Sequence, residues 1–397
     1  MAAVATFLRH TPKTALQSYF EQEAFLLDPP VNWAAPESEI IKPLLRAVDQ
    51  MSDLERDRLV TVIDRVAAMA NELGEAAIYS VTEIKDRPWL DAMANAHERS
   101  LWMFLNAQDR FRHAEEVRYS DRHWRGRMWA GYVTEVGCVV MRDDAARHAF
   151  VAAIKEFSGA AHADVDIFRR IRTTYDGDEC NLVQVTIYRE GRPDDLLRFD
   201  DKGRLVRQAY RPVFEAVVTY EPATGGIEVI ANDKVTRREI VKAAITHLLG
   251  ITFEERHLPL RQYDLSVLLT PYDFPVDEAD GIEGVEVREL RLTPIGDSGR
   301  RVTLETNPSK DGTIWAMADE LFAESTSLRD AFVITRAKLT VKLAPHPDRS
   351  RRRSLTMTIT WPHGCDLKDR TATEQMIGEK YLRRWGILVD DPHLIQD

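Results

Sequence analysis

The strongest chemical signal in the chain is a stretch in which arginine alternates with aromatic residues: Arg118, Tyr119, Arg122, His123, Trp124, Arg125, Arg127 and Trp129. Guanidinium forks match phosphate oxygens, and aromatic faces stack on unpaired bases, so the mixture suits single-stranded or distorted nucleic acid. Arg118, Arg122, Trp124, Arg125 and Arg127 are therefore the candidate nucleic-acid-binding residues. The competing expectation is a hinge between structural units, with tryptophans buried and arginines paired to Glu115, Glu116 and Asp121. A second basic candidate is the loop His346 to Arg353.

Other chemistries have weaker spellings. His113 and Glu116 stand three apart on an expected helix, with His97 and His123 nearby, a spacing that brings two zinc ligands to one face. Histidines among arginines and aromatics more often pack or face water, and no metal or other cofactor is expected. Glu83-Ile84-Lys85, Asp200-Asp201-Lys202 and Asp366-Leu367-Lys368 share the carboxylate-x-lysine pattern of metal-dependent nucleases, but none falls on an expected strand beside a second carboxylate. His363 lies near Cys365 without a third group to orient it. Asp176-Gly177-Asp178-Glu179 is a fragment of a calcium loop that lacks its terminal glutamate. Neither a phosphate-binding loop nor a Gly-x-Ser-x-Gly elbow occurs.

The elements that must position these groups follow from patterning. Val213 to Gly250 is the clearest stretch: Phe214, Ala216, Val218 and Tyr220 alternate with Glu215, Val217 and Thr219, and Gly225-Gly226 reverse the chain into a partner strand, Ile227 to Ala231. A helix then begins at Thr236, whose capping box uses Glu239, and ends at Gly250. Upstream, helical spacing covers the first third of the chain, with Ser52 and Glu55 opening a helix that Gly74 ends. Val133 to Val140 is expected as a first strand, followed by a helix over Asp144 to Phe157. Strands at Val165–Ile171, Leu182–Arg189, Leu196–Phe199 and Arg204–Tyr210 continue into the central hairpin as an antiparallel meander. Pro259 to Asp280 reads as an extended connection.

A chain of 397 residues exceeds one ordinary core, so several domains are expected. The expected fold class is α+β: a helical domain over 1–125, an α+β domain with an antiparallel meander over 126–258, and an α+β domain of ββαββα order over 259–397. An apolar content of 44%, with no window long enough to span a bilayer, predicts a protein without membrane association. Three scattered cysteines form no disulfide framework, and MAAVATFLRHTPK lacks a signal-peptide core, so a cytoplasmic setting is expected. The formal charge of -11 argues against indiscriminate coating of nucleic acid but leaves room for a local basic site.

The stretches FLRHTPKTALQSYF, RPVFEAVVTYEPATGGIEV, YDLSVLL, DGIEGVEVRELRLT, RRVTLETNPS and TITWPHGCDLKD, spread over nearly the whole length, give the chain a resemblance to an uncharacterised family of bacterial proteins associated with mobile elements and genomic islands. Where that family carries an asparagine-serine-cysteine run before the last helix, this chain has Pro362-His363-Gly364-Cys365. The motifs are structural and imply no activity; the genomic setting implies anti-phage defence. The resulting expectation is a non-enzymatic recognition or assembly subunit with a protein partner. The alternative is a nucleic-acid-binding protein or a metal-dependent nuclease.

Overall fold

A computed structural model describes residues 2–173, 179–200, 202–259, 261–296, 299–307, 312–322, 328–344 and 353–389. Its contacts divide the chain into two compact units, Met1–Arg172 with Glu179–His257, and Leu258–Asp397 with Thr173–Asp178. The fold is α+β, with four antiparallel sheets among the described residues.

The first unit opens with eight helices: α1 (Ala2–His10), α2 (Lys13–Gln22), α3 (Glu37–Gln50), α4 (Asp53–Met69), α5 (Glu72–Val81), α6 (Arg87–Asp91), α7 (Ala96–Asn106) and α8 (Gln108–His123). Ser52 and Glu55 form the expected capping box at the start of α4. Gly74, expected to end that helix, instead sits in the first turn of α5, where its N–H is held by the Asn71 side chain. Its role is close approach: a Cβ there would lie 2.4 Å from the Met69 Cα. Phe7, Leu16, Phe20, Leu44, Ile63, Leu101 and Phe111 belong to the shared helical core.

The sheet part of the unit contains β1 (Trp129–Val133), α9 (Asp144–Ser158), β2 (Ala163–Thr173), β3 (Glu179–Glu190), β4 (Asp194–Phe199), β5 (Leu205–Tyr210), β6 (Val213–Glu221), β7 (Gly226–Ile230) and α10 (Lys234–His247). Five strands form one sheet in the order β1-β7-β6-β3-β2. Its first strand lies earlier than expected, because Trp129 to Val133, rather than Val133 to Val140, pairs with β7. The α10 cap also lies earlier: Asp233, not Thr236, accepts the first-turn N–H, at 2.8 Å, and Thr236 becomes the donor. Strand alternation gives the sheet two faces of different chemistry. Val165, Val185, Ile187, Val218, Tyr220, Ile227 and Val229 share an apolar core with Phe150 and Ile154 of α9 and Ile240, Val241 and Ala244 of α10. The other face carries Arg170, Gln184, Thr186, Thr219 and Glu228.

The second unit realises the ββαββα order as β9 (Ile282–Pro294), β10 (Val302–Glu305), α11 (Ile314–Leu321), β11 (Phe332–Leu343), β12 (Arg353–Thr360) and α13 (Ala372–Arg384). Short elements are added: β8 (Gln262–Tyr263), α12 (Leu328–Ala331), β13 (Gly364–Cys365) and β14 (Leu388–Val389). The main sheet runs β10-β9-β11-β12-β13. Tyr381 and Leu382 of α13 and Trp385 at its C-terminal cap belong to its core, together with Leu290, Leu339, Met357 and Ile359. The segment Pro259 to Asp280 is more than an extended connection. Leu265 and Leu268 are buried in the same core, and Trp385 Nε1 donates to the Pro275 carbonyl at 3.0 Å. Its acids are also engaged: Lys380 lies 2.9 Å from Asp277 and 2.6 Å from Asp280, and holds both carboxyls below their usual range.

The Gly74 contact gives a direct test of the helical packing. In Gly74→Ala, the helix-propensity gain of about 1 kcal/mol is outweighed by a clash with backbone that cannot rotate away. A net loss of about 2 kcal/mol in the unfolding free energy of the first unit is expected on urea titration.

Candidate functional site

Helix α8 serves two layers at once. Phe111, Ala114 and Val117 are buried in the helical core, while other positions of the same helix meet the polar face of the sheet. There Asp121 accepts both terminal nitrogens of Arg170, at 3.0 and 2.8 Å, and Arg170 is only 2% exposed. The Glu116 carboxylate accepts the Tyr188 hydroxyl at 2.6 Å, and burial pushes the Glu116 carboxyl up. His113 Nε2 lies 3.0 Å from Asp166, whose carboxyl that contact holds down, and the imidazole stacks on Phe168 with ring centres 4.0 Å apart. Phe168 joins the helical core from the sheet side.

The arginine-aromatic segment lies at the end of this helix and in the turn to β1. Trp124 belongs to the polar layer: its Nε1 donates to Glu228 at 2.7 Å, and the same carboxylate accepts Arg172 at 2.9 Å. The guanidiniums of Arg125 and Arg172 lie over its ring, 4.6 and 4.7 Å from the centre. Its π surface is thus engaged by cations of the same chain. Arg125 has a left-handed backbone, φ 54°, which lets the chain turn from α8 into β1. The carboxylates expected to balance the segment have other partners: Glu115 pairs with Arg65 at 2.7 Å, Glu116 with Tyr188, and Asp121 with Arg170. Arg118, Arg122, Arg125 and Arg127 therefore make no ion pair among the described residues. Arg122 and Arg127 are exposed. Arg118 Nε, Arg125 Nε and Nη1, and Trp129 Nε1 are buried donors without an acceptor.

The remaining sequence candidates are dispersed. His97 stacks on His10 rather than approaching His113, and among the described residues no group of three or more His, Cys, Asp or Glu is placed to hold a metal. Glu83 pairs with Lys85 of its own motif at 2.6 Å on the surface. The Asp200 carboxylate accepts the Lys202 and Arg204 backbone N–H groups, each at 2.9 Å, and Asp366 accepts the Thr358 N–H at 2.7 Å. His363 Nδ1 lies 2.9 Å from the Arg261 carbonyl, and burial pushes the Cys365 thiol up to about 11, which keeps it protonated and poorly nucleophilic near neutrality. A recess of ≈ 340 Å³ is lined by Val133, Thr134, Glu135, Gly250, Thr252 and Arg256, among others, with Arg256 balanced by Glu254 at 3.5 Å. The calcium-loop fragment at 176–178 and the basic loop at 346–352 lie outside the described residues.

Sequence reasoning missed one feature by placing it in the meander. Strands β4 and β5 pair only with each other, as a separate two-stranded ribbon. Its base is narrow: the Gly191 N–H donates to the Pro212 carbonyl at 2.7 Å, and a Cβ on Gly191 would lie 2.4 Å from the Phe214 ring. Cross-strand partners share a face, so Leu197, Phe199 and Leu205 lie on one side and Leu196, Val206 and Tyr210 on the other. Phe199 is 70% exposed, Leu205 61% and Leu197 53%. A hairpin alone is marginally stable in water, and this one exposes apolar side chains on both faces. The available signal was in LLRF and LVRQAY, where apolar residues fall at both parities instead of one.

No family model and no curated protein matches this chain. Among the described residues no helix is long and apolar enough to cross a membrane.

Glu116 supplies a pH test of the polar layer. Its folded pKa is raised, so the stability linked to its protonated form is fully present below the unfolded value of about 4.3 and is lost as pH rises through the folded value. Glu116→Gln, which mimics the protonated carboxyl, should therefore gain in stability relative to the parent as pH is raised from 4 to 8. Denaturant midpoints measured across that range check the sign.

Proposed function

We propose that this chain is a non-enzymatic recognition or assembly subunit that engages a protein partner, in a bacterial anti-phage defence setting of the kind its family resemblance implies. The observation that carries the reading is the β4–β5 ribbon, whose two apolar faces and two open edges are uncovered among the described residues. A partner's surface would bury those side chains at roughly 25 cal/mol per Å² of apolar area, and its strands could extend the ribbon by backbone hydrogen bonds.

A second reading, nucleic-acid binding, is favoured by one specific observation. Four arginines between 118 and 127 make no ion pair among the described residues, and the exposed Arg122 and Arg127 have guanidiniums that phosphate oxygens would pair with.

One experiment separates the two. Tagged protein is purified gently from its native host as the parent, as a variant with residues 194–210 replaced by a short Gly-Ser link, and as Arg122→Ala/Arg127→Ala. Loss of a stoichiometric protein from the ribbon deletion alone is the expected result. Retained nucleic acid whose affinity loses about 0.7 in log-log salt slope for each phosphate contact removed in the arginine variant would establish the second reading. Hydrolysis of nucleic acid or nucleotide by the purified chain, abolished by a single carboxylate substitution, would overturn the first.

A further inference from the structure

We propose that the partner of the β4 edge is a second copy of this chain, joined through a two-fold axis at Leu196 so that two ribbons form a four-stranded antiparallel sheet. The inference rests on reading the ribbon as a docking element and adds the identity and register of its occupant.

The open edge can be assigned. The Asp200 N–H donates across the hairpin to the Arg204 carbonyl at 2.9 Å, so Asp200 faces its partner strand. Alternation then turns Phe199, Leu197 and Asp195 outward. The Asp195 N–H agrees: it donates to the Asp194 side chain at 2.8 Å instead of to β5. Strand β4 thus turns the backbone groups of Asp195 and Leu197 away from β5, with the Asp195 N–H held only by the neighbouring Asp194 side chain.

A two-fold axis perpendicular to a sheet preserves faces, so only residues whose numbers sum to an even value can stand opposite each other across it. With the axis at Leu196, Asp195 stands opposite Leu197 of the second copy, and these outward residues exchange both backbone hydrogen bonds. Leu196 meets Leu196, and Asp194 stands opposite Arg198 of the second copy, twice over by symmetry. Neither Asp194 nor Arg198 makes an ion pair within the chain among the described residues. Moving the axis to Leu197 sets Arg198 against Leu196 and Asp195 against Phe199, with no charge pair. The β5 edge, Leu205-Val206-Arg207-Gln208-Ala209-Tyr210, contains no carboxylate and cannot form such a pair with itself. Charge complementarity therefore selects both the edge and the register. Stacking the ribbons side by side also creates continuous apolar faces from Leu197, Phe199 and Leu205, which are uncovered in one copy.

The test uses the purified full chain. Sedimentation equilibrium should give a reversible dimer. Leu196→Cys under mild oxidation should yield a dimer band absent from the parent, whose own Cys138, Cys180 and Cys365 act as the background control. Gln208→Cys, on the other strand, should yield none. Asp194→Arg or Arg198→Asp alone turns two attractive pairs into repulsive ones and should weaken dimerisation about tenfold, while the double exchange restores it. These residues are exposed, and unchanged circular dichroism will show that each variant folds. A monomer at all concentrations, cross-linking through Gln208→Cys instead of Leu196→Cys, or failure of the double exchange to rescue would overturn the proposal. A monomer that still co-purifies with a different protein through the ribbon would overturn the self-pairing alone and leave the recognition reading standing.

Discussion

The Arg170–Asp121 pair is the constraint on which the first unit is organised. It joins a central helix to a strand of the sheet by two parallel hydrogen bonds, with the guanidinium almost wholly withdrawn from water. Burying such a charge carries a large desolvation cost, and only good geometry with a paired carboxylate offsets it. The pair acts mainly on register. A one-residue slip of β2 would turn Arg170 toward the apolar α9–α10 side and Val165 toward α8, an exchange that neither face tolerates. Tyr188 with Glu116, His113 with Asp166, and Trp124 with Glu228 repeat the restriction along the same interface.

That polar layer also decides which charges remain available. Because Glu115, Glu116 and Asp121 are committed to Arg65, Tyr188 and Arg170, Arg118, Arg122, Arg125 and Arg127 make no ion pair among the described residues. Trp124 goes the opposite way and is absorbed into the fold by Glu228 and two guanidiniums. A segment that reads as one constellation thus separates into an internal clamp and an uncompensated cationic surface. The ribbon is the complementary case: leucines and a phenylalanine that would be ordinary core in β6 or β7 stay in water, because their hairpin leaves the sheet between Gly191 and Pro212.

The second unit uses charge differently. Its acid-rich entry segment is drawn onto α13 by Lys380 and Arg384, and Arg261 forms a bidentate pair with Glu379, at 2.5 and 2.7 Å. Acids that look like solvated surface become ties between a loop and a helix. Cys365 is half-buried, and burial raises its thiol pKa, so it stays protonated near neutrality.

What the sequence determined by itself was local: the α4 capping box at Ser52, the β6–β7 hairpin at Gly225, the capped helix after it, and the α+β class, because caps, turns and period-2 alternation are set by neighbours a few residues apart. Even there, competition between near-equal signals moved boundaries, as when Asp233 took the cap from Thr236, a carboxylate being the stronger acceptor for a helix N-terminus. Only the tertiary structure decided which strands share a sheet: β4 and β5 read as strands like their neighbours, with apolar residues at both parities, yet they pair only with each other and stay exposed among the described residues. It also decided which arginines are paired, since residues 49 and 56 positions apart in sequence, Asp121 with Arg170 and Arg172 with Glu228, compete successfully with nearer partners. Pairing and burial depend on contacts across the fold, and those are formed by packing whole elements rather than by any local pattern.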